Sequence, residues 1–209
     1  MVPSLLDMVF PRVSLGGAEG ALVSDAEVLQ LQQQCHSGGF PVQVDGLECV
    51  IAAASYDDAP LVRKAVHTLK YKRIPAVYHA LALAMDHALP VASTDATVLC
   101  PVPLHWTRRF WRGFNQAELL AEALGHYRHM PVCSVLKRRR PTGRQARRGR
   151  KDRLVAMQDA FAARTGFAVP KTVILIDDVV TTGATLSACA AALRAAGAQS
   201  VSAWVVARA

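Results

Sequence analysis

The segment VILIDDVVTTGAT, residues 173–185, restricts the fold of this chain more than any other stretch. Its first four residues are apolar and mostly β-branched, and no polar residue alternates with them, which predicts a strand buried on both faces. Two carboxylates and a threonine-rich turn follow, and then an Ala-rich stretch of helical composition that ends near Gly197. A buried strand that leads through a short turn into a helix predicts an α/β fold, with this strand central in the sheet.

The turn after the predicted strand has the chemistry of a sugar-phosphate site. Ligands of open α/β sheets bind at the carboxyl ends of strands, and the free N–H groups of a helix N-terminus favour phosphate. Gly183 lets the backbone approach closely or adopt a positive φ, and three threonine hydroxyls can donate to phosphate oxygens. The carboxylates of Asp177 and Asp178 suit vicinal hydroxyls or a hard cation such as Mg²⁺. The predicted contacts of the sugar phosphate are Asp177, Asp178, Thr181, Thr182, Gly183, Ala184 and Thr185.

Residues 173–185 resemble the motif with which type I phosphoribosyltransferases bind phosphoribosyl pyrophosphate (PRPP). That motif consists of an apolar strand, two acids, two apolar residues and Thr-Thr-Gly-x-Thr, and every position is filled here. Two further stretches, 56–71 (YDDAPLVRKAVHTLKY) and 101–121 (PVPLHWTRRFWRGFNQAELLA), are similar to the ComF family of competence-associated proteins, also called the GntX-like group.

The likeness to the ComF family extends from about residue 48 to the C-terminus, because Gln145, Arg153 and Phe161 resemble the family's linker pattern. It implies a type I phosphoribosyltransferase-like α/β fold, with a mostly parallel sheet flanked by helices and a small N-terminal hood region. The predicted domains are an N-terminal extension, 1–47, and a phosphoribosyltransferase-like domain, 48–209.

The resemblance also implies roles for individual residues. Asp177 and Asp178 would be the catalytic residues, since they would hold the ribose hydroxyls, while Mg²⁺ would be held through PRPP and not by protein side chains alone. The loop after a predicted strand at 97–102 would bind the pyrophosphate. The residues implied there are Val102, Pro103 and Leu104, with Arg108, Arg109 and Arg112 nearby. Lys70 and Tyr71 would face the ligand from the hood, although a solvated helix end explains them equally well.

A cationic segment at 137–153 holds the whole basic excess of the chain. It contains ten Lys or Arg and one acid, a charge of +9, whereas the remaining residues contain 14 basic and 15 acidic ones. This pattern favours one polyanion at one place over diffuse nucleic-acid affinity.

By resemblance the segment is a flexible loop that closes over the active site, with Arg144, Gln145 and Arg153 as its candidate contacts. Single-stranded nucleic acid is the alternative ligand, although no aromatic residue interleaves these arginines.

Hydrophobic periodicity and capping residues predict the remaining elements. A helix over 113–126 would have Asn115 as N-cap and Glu118 at the capping-box position, and Asn115 is expected to cap rather than to contact substrate. The helix at 24–35 would be capped by Ser24. Helices are also predicted at 60–73 and 75–89, strands at 48–56, 132–136 and 200–207, and a strand or hairpin flank at 159–169.

Relatives in the ComF family commonly carry a zinc ribbon, built from Cys-x-x-Cys pairs, in the N-terminal region. Only Cys35 and Cys49 remain there in this chain, and structural zinc prefers four N or S ligands in paired spacing. We therefore expect a ribbon that has lost its metal, with two ordinary buried thiols. A zinc site completed by a second chain is the remote alternative. The five cysteines of the chain form no Cys-x-x-Cys pair, so reduced thiols are expected.

The location of the protein follows from its apolar segments. No apolar run is long enough to span a bilayer, which argues against membrane insertion. Residues 1–10 contain Asp7 and no basic n-region, so we expect no secretory signal and a cytoplasmic protein. The choice between a monomer and an oligomer stays open.

These features predict displacement of pyrophosphate from a ribose anomeric carbon by a nitrogen nucleophile, with Mg²⁺ bridging pyrophosphate and ribose oxygens. The predicted ligand is PRPP or a related ribose phosphate. The alternative is a non-catalytic PRPP or nucleotide sensor, or an accessory that binds single-stranded DNA through 137–153. The family name implies competence and DNA uptake as the setting, with proteins of that process as partners. The acceptor is not identified.

Overall fold

The computed structural model describes residue 15 and residues 23–71, 74–91, 97–139 and 160–209, apart from the side chains of Pro75 and Arg108. The strands are β1 (Phe40–Pro41), β2 (Val50–Ser55), β3 (Thr97–Pro101), β4 (Leu136–Arg138), β5 (Phe161–Ala163), β6 (Thr172–Val180) and β7 (Ser200–Arg208). The helices are α1 (Asp25–Gln33), α2 (Pro60–Tyr71), α3 (Pro75–Ala88), α4 (Trp106–Arg112), α5 (Gln116–Arg128) and α6 (Ala184–Ala195).

The main sheet has five strands in the order β1-β2-β7-β6-β3. β2, β7, β6 and β3 are mutually parallel, and only the two-residue edge strand β1 is antiparallel. β4 and β5 form a separate antiparallel pair. The predicted α/β class with a mostly parallel sheet is confirmed, and β6 is an interior strand, as its unbroken apolar run predicts.

Each face of the sheet buries its own core. Leu31 of α1, Leu69 of α2, Leu81 of α3 and Leu120 of α5 pack in one cluster with Ile176 of β6. A second cluster unites β6, α6 and the β4–β5 pair, with Leu136, Phe161, Leu175, Cys189 and Leu193 among its members. Helices therefore flank both faces, the arrangement in which parallel strands are found. None of the helices within the described ranges is both long and apolar enough to cross a bilayer.

The helix preceding α5 was not predicted. Residues 113–126 were expected to form one helix, but Gly113 ends α4 in the left-handed conformation with φ 75°, and α5 begins only at Gln116. Asn115 is the N-cap as predicted, and its side chain accepts a hydrogen bond from the Ala117 amide at 3.2 Å. The carboxylate of Glu118 accepts from Arg109 of α4 at 3.1 Å, so it links the two helices.

Two strand predictions need correction. The strand expected at 132–136 lies later in the chain, because β4 begins at Leu136 and Val132 makes only an isolated bridge to Leu99. The predicted strand at 159–169 is shorter and is β5, which pairs with β4. Of the apolar residues before β4, Val135 is buried and Cys133 packs against the core, whereas Val132 is exposed, so their alternation with Ser134 looked like a strand without forming one.

The described residues of the predicted N-terminal extension pack into the same core as the sheet. The predicted capping box of α1 is present, since Ser24 and Glu27 bond each other's backbone amides. Leu31 and Cys35 are buried in the core cluster of α2, α3 and α5.

Burial raises the pKa of the Cys35 thiol to about 12, which makes it unreactive. Cys49 is exposed, contrary to the prediction of a buried thiol, because it precedes the first residue of β2. The domain boundary at residue 47 stays a prediction.

Leucine substitutions in α1 test whether this helix belongs to the core of the domain. Leu31→Ala should lower the free energy of unfolding by about 2–5 kcal/mol, because Leu31 is 0% exposed and its truncation leaves a cavity. Leu29→Ala is the matched control and should cost less than about 0.5 kcal/mol, because Leu29 is 58% exposed. Urea unfolding followed by circular dichroism measures both values. Equal small effects would show that α1 does not share the core.

Candidate functional site

Asp177 and Asp178 lie within β6 and not in a loop after it, which corrects the predicted end of the strand at residue 176. The ladder with β7 continues to Val180, which pairs with Arg208. Because successive residues of a strand point to opposite faces, the two carboxylates meet different neighbours. Asp178 contacts α2 on one face, and Asp177 is within electrostatic reach of Arg138 in β4.

The predicted hood residue Lys70 contacts the acidic pair. Its ammonium group lies 3.5 Å from Oδ2 of Asp178, and both side chains are partly buried. The carbonyl of Lys70 accepts a hydrogen bond of 3.5 Å from the buried side chain of Gln116, so α5 holds the end of α2 in place. Tyr71 follows at the surface, and the guanidinium carbon of Arg112 lies 6.0 Å from its ring centroid.

The carboxyl group of Asp177 has an unusual acidity. Its pKa is raised to about 8, mainly by burial and then by the negative charge of Asp178. The Asp178 amide, which donates to Oδ1 of Asp177 at 2.9 Å, opposes this shift, as do the positive charges of Lys70 and Arg138. Asp177 is therefore the proton-binding member of the pair near neutral pH.

The hydroxyl-rich turn follows β6 and leads into α6. Thr181 and Thr182 are exposed, and Gly183 adopts φ 73° immediately before the helix. The Ala184 amide donates to the Thr182 hydroxyl over a long 3.5 Å, and the first-turn amides of a helix have no partner within it. The side chains of Thr181 and Thr182 are thus at the surface, with Thr185 in the first helical turn.

Gly183 is required by packing as well as by its backbone conformation. A Cβ atom at this position would lie 2.6 and 2.7 Å from the two methyl groups of Val44. Val44 belongs to the connection between β1 and β2, so an N-terminal segment supports the underside of the turn. Val44 carries no recognisable functional motif, and the sequence therefore did not identify this contact.

The predicted pyrophosphate loop is anchored at its first residue, because both the amide and the carbonyl of Val102 are hydrogen-bonded. The Val102 amide donates to the Ile176 carbonyl at 2.9 Å, which extends the contact between β3 and β6. The Val102 carbonyl accepts from Nδ2 of Asn115 at 3.0 Å. Asn115 therefore caps α5 and holds this loop, while Pro103 and Leu104 continue from it with partly accessible side chains.

The predicted cationic residues are dispersed. Arg109 pairs with Glu118 at 3.1 Å, and Arg112 lies against Tyr71. The side chain of Arg108 lies outside the described part of the chain, as do Arg144, Gln145 and Arg153 of the cationic segment. Arg138 was missed as a site residue because it was counted within that segment, whereas it is the last residue of β4. The sequence signal for Arg138 was its place two residues after buried Leu136, within reach of a strand that begins there.

Comparison with known proteins agrees with this geometry. A family model described as "Phosphoribosyl transferase domain" matches residues 112–209. The chain is 33% identical to the DNA utilization protein YhgH of Salmonella typhimurium, over 87% of this chain and 86% of the relative. It is 36% identical to competence protein F of Haemophilus influenzae, over 53% of this chain and 50% of the relative. The chain belongs to the ComF family.

The matched segment of this ComF protein covers α5, β4 to β7 and α6, and so includes the acidic pair and the hydroxyl-rich turn. Among solved structures, the glutamine PRPP amidotransferase from B. subtilis, complexed with ADP and GMP, aligns with a TM-score of 0.45 and 18% identity. That alignment covers 68% of this chain and 30% of the other. At this TM-score the likeness carries no functional weight. The phosphoribosyltransferase-type assignment of the ComF chain rests on the family match and the curated relatives.

The raised pKa of Asp177 should make the stability of this ComF protein depend on pH. Between about pH 4 and pH 8 the folded state holds a proton that the unfolded chain, with a pKa of 3.8, has released. The free energy of unfolding should therefore fall as the pH rises through this range, by up to about 1.4 kcal/mol per pH unit. Asp177→Asn has no such titrating group. The difference between its free energy of unfolding and that of wild type, measured by urea unfolding, should therefore shift in favour of the variant from pH 5 to pH 8. The exposed Asp45→Asn is the control, and parallel pH profiles for all three proteins would contradict the assignment.

Gly183→Ala should cost more stability than Gly113→Ala, although both glycines have a positive φ. Gly113 has open space around its Cβ position, so its substitution should cost only the conformational term of about 1–2 kcal/mol. Gly183→Ala adds the overlap with Val44 and should exceed that value. Urea unfolding of both variants, of Val44→Ala and of Val44→Ala/Gly183→Ala gives the coupling between positions 44 and 183. Equal costs for the two glycines would show that the packing against Val44 is unimportant.

Proposed function

We propose that this ComF protein binds PRPP with Mg²⁺ and transfers its phosphoribosyl group to a nitrogen acceptor. The proposal is carried by one observation: two carboxylates, a hydroxyl-rich helix start and a braced loop meet at the carboxyl edge of one parallel sheet. Such an edge is where open α/β sheets bind ligands. Asp177 and Asp178 would bind the ribose hydroxyls, the turn at 181–185 the 5′-phosphate, and the loop at 102–104 the pyrophosphate.

The donor set suits a magnesium ion that reaches the protein together with its substrate. Within the described ranges no three His, Cys, Asp or Glu side chains converge in a way that could hold a metal alone. Mg²⁺ usually keeps several waters and takes one or two carboxylates together with substrate phosphates, which matches the pair at Asp177 and Asp178. When bound, the ion would offset the charge that develops on the departing pyrophosphate.

The residues of this chain would contribute positioning and charge. A bond forms between the acceptor nitrogen and the anomeric carbon while the bond from that carbon to pyrophosphate breaks, and the electron pair leaves with pyrophosphate. Lys70 balances Asp178 in the absence of ligand, and its partial exposure leaves the ammonium group able to face an anionic substrate. Fixed positive groups near a developing negative charge stabilise the transition state without reorganisation.

The names of the curated relatives suggest the setting. One is a competence protein and another is a DNA utilization protein. We therefore propose a cytoplasmic role in the uptake or use of DNA, with proteins of that process as partners.

Calorimetric titration with PRPP and Mg²⁺ tests the binding step. Asp177→Asn/Asp178→Asn should raise the Kd at least about tenfold, because it removes charge-assisted hydrogen bonds to the ribose. Asp57→Asn/Asp58→Asn is the control, since it makes the same two substitutions at adjacent carboxyl groups that are exposed and lie outside the acidic pair. Absence of binding to the wild type would remove the proposal.

A screen of nucleobases and simple amines for pyrophosphate release tests the transfer step. Release that requires both acceptor and Asp177 is the result expected for a transferase. Tight binding of PRPP without release with any acceptor would instead support the non-catalytic sensor.

A further inference from the structure

Helix α4 displays three large aromatic side chains to solvent beside the candidate site. Trp106 is 68% exposed, Phe110 85% and Trp111 89%, whereas the third tryptophan of the chain, Trp204, is buried. Exposed aromatic clusters are uncommon on a surface that contacts only water, because burying such rings is strongly favourable. This cluster therefore points to a ligand.

The spacing of the aromatic residues arranges them on one side of the helix. Trp106 and Phe110 are four residues apart and so share a face, and Trp111 follows 100° further around. Arg109 and Arg112 occupy the remaining arc. The helix thus has an aromatic side with guanidinium groups along its border.

Helix α4 itself carries only positive charge, and the acid just beyond this stretch, Glu118, pairs with Arg109. Residues 102–117 contain three arginines and no acid. Arg109 remains half exposed although it pairs with Glu118, and Arg112 rests against the exposed ring of Tyr71. Such a surface repels cationic partners and attracts a polyanion.

The position of α4 also connects it with the second cationic element. Arg112 contacts Tyr71, whose neighbour Lys70 pairs with the acidic strand end on one side. On the other side of that strand end lies Arg138, where the basic segment 137–153 begins. A polyanion lying across the carboxyl edge of the sheet would therefore meet positive charge on both flanks of the acidic pair.

We propose that α4 is a base-stacking platform for single-stranded nucleic acid. Bases stack on Trp106, Phe110 and Trp111, and phosphates contact Arg109 and Arg112. Single strands fit because their bases are unpaired and every base has a flat face, so sequence matters little. The aromatic side of α4 carries no aliphatic side chain, which favours nucleobases over an apolar protein surface. The inference does not depend on PRPP binding.

Fluorescence anisotropy with a labelled 20-nucleotide poly-dT strand at low salt tests the platform. The triple variant Trp106→Ala/Phe110→Ala/Trp111→Ala should bind at least about tenfold more weakly than wild type, because stacking contributes substantially for each base. Phe167→Ala, at an exposed phenylalanine in the β5–β6 connection, is the matched control and should bind as wild type does. Thermal unfolding of each variant and the fluorescence of buried Trp204 check that the fold is intact. Affinity of the triple variant within twofold of wild type would overturn the proposal, as would absence of binding to the wild type.

An abasic strand of the same length separates stacking from phosphate contacts. Wild type should bind the abasic strand at least about tenfold more weakly than poly-dT, whereas the triple variant should bind both strands equally. Any phosphate contacts of the basic segment are the same for the two strands, so they do not change the ratio of the two affinities in either protein. Equal affinities of the wild type for the two strands would refute stacking.

Leucine variants separate stacking from simple apolar contact. Trp106→Leu/Phe110→Leu/Trp111→Leu keeps an apolar surface on α4 but removes the rings, so it should remain as weak as the alanine variant. Recovery of wild-type affinity with leucine would show that the surface binds through apolar area, as a protein-docking surface does, and would contradict the proposal.

Discussion

Two adjacent carboxyl groups at the edge of a buried sheet are the constraint on which this structure depends. Asp177 and Asp178 stand in consecutive positions of an interior strand, where repulsion and burial both oppose ionisation. Lys70 from α2 offsets the charge on one face, and Arg138 from β4 does so on the other. Elements far apart in the chain therefore bring positive groups to the same acidic pair.

The surrounding framework keeps that edge open to a ligand. Asn115 holds the loop after β3 through Val102 while it caps α5, so one side chain serves both elements. At the turn Val44 packs against Gly183, and the side chains of Thr181 and Thr182 are exposed. A rigid scaffold with short turns at the carboxyl ends of its strands is a typical support for a binding site. The N-terminal residues belong to this support because Leu31 and Val44 both contact the main core or the turn.

The differences between expectation and structure have local causes. β6 runs past its apolar residues because main-chain hydrogen bonds to β7 do not depend on side-chain polarity. Helix α4 escaped notice because WTRRFWR has no apolar stripe directed at the core; its aromatic residues face solvent. Signals for it were present in His105, whose side chain caps the helix, and in Gly113, which ends it. For β4, the apolar residues before Leu136 resemble a strand, although they make only an isolated bridge and the ladder begins at Leu136.

The sequence by itself determined the α/β class, the family, the interior strand, the capped starts of α1 and α5, and the chemistry of residues 173–185. These are features of short segments, in which composition, periodicity and capping act between near neighbours. Only the tertiary structure decided that Lys70 faces Asp178, that Arg138 approaches Asp177 and that Val44 supports Gly183. It also decided that the aromatic residues of α4 are exposed and not in the core. Such contacts join residues far apart in the chain, and they follow from strand order and helix packing, which no local pattern encodes.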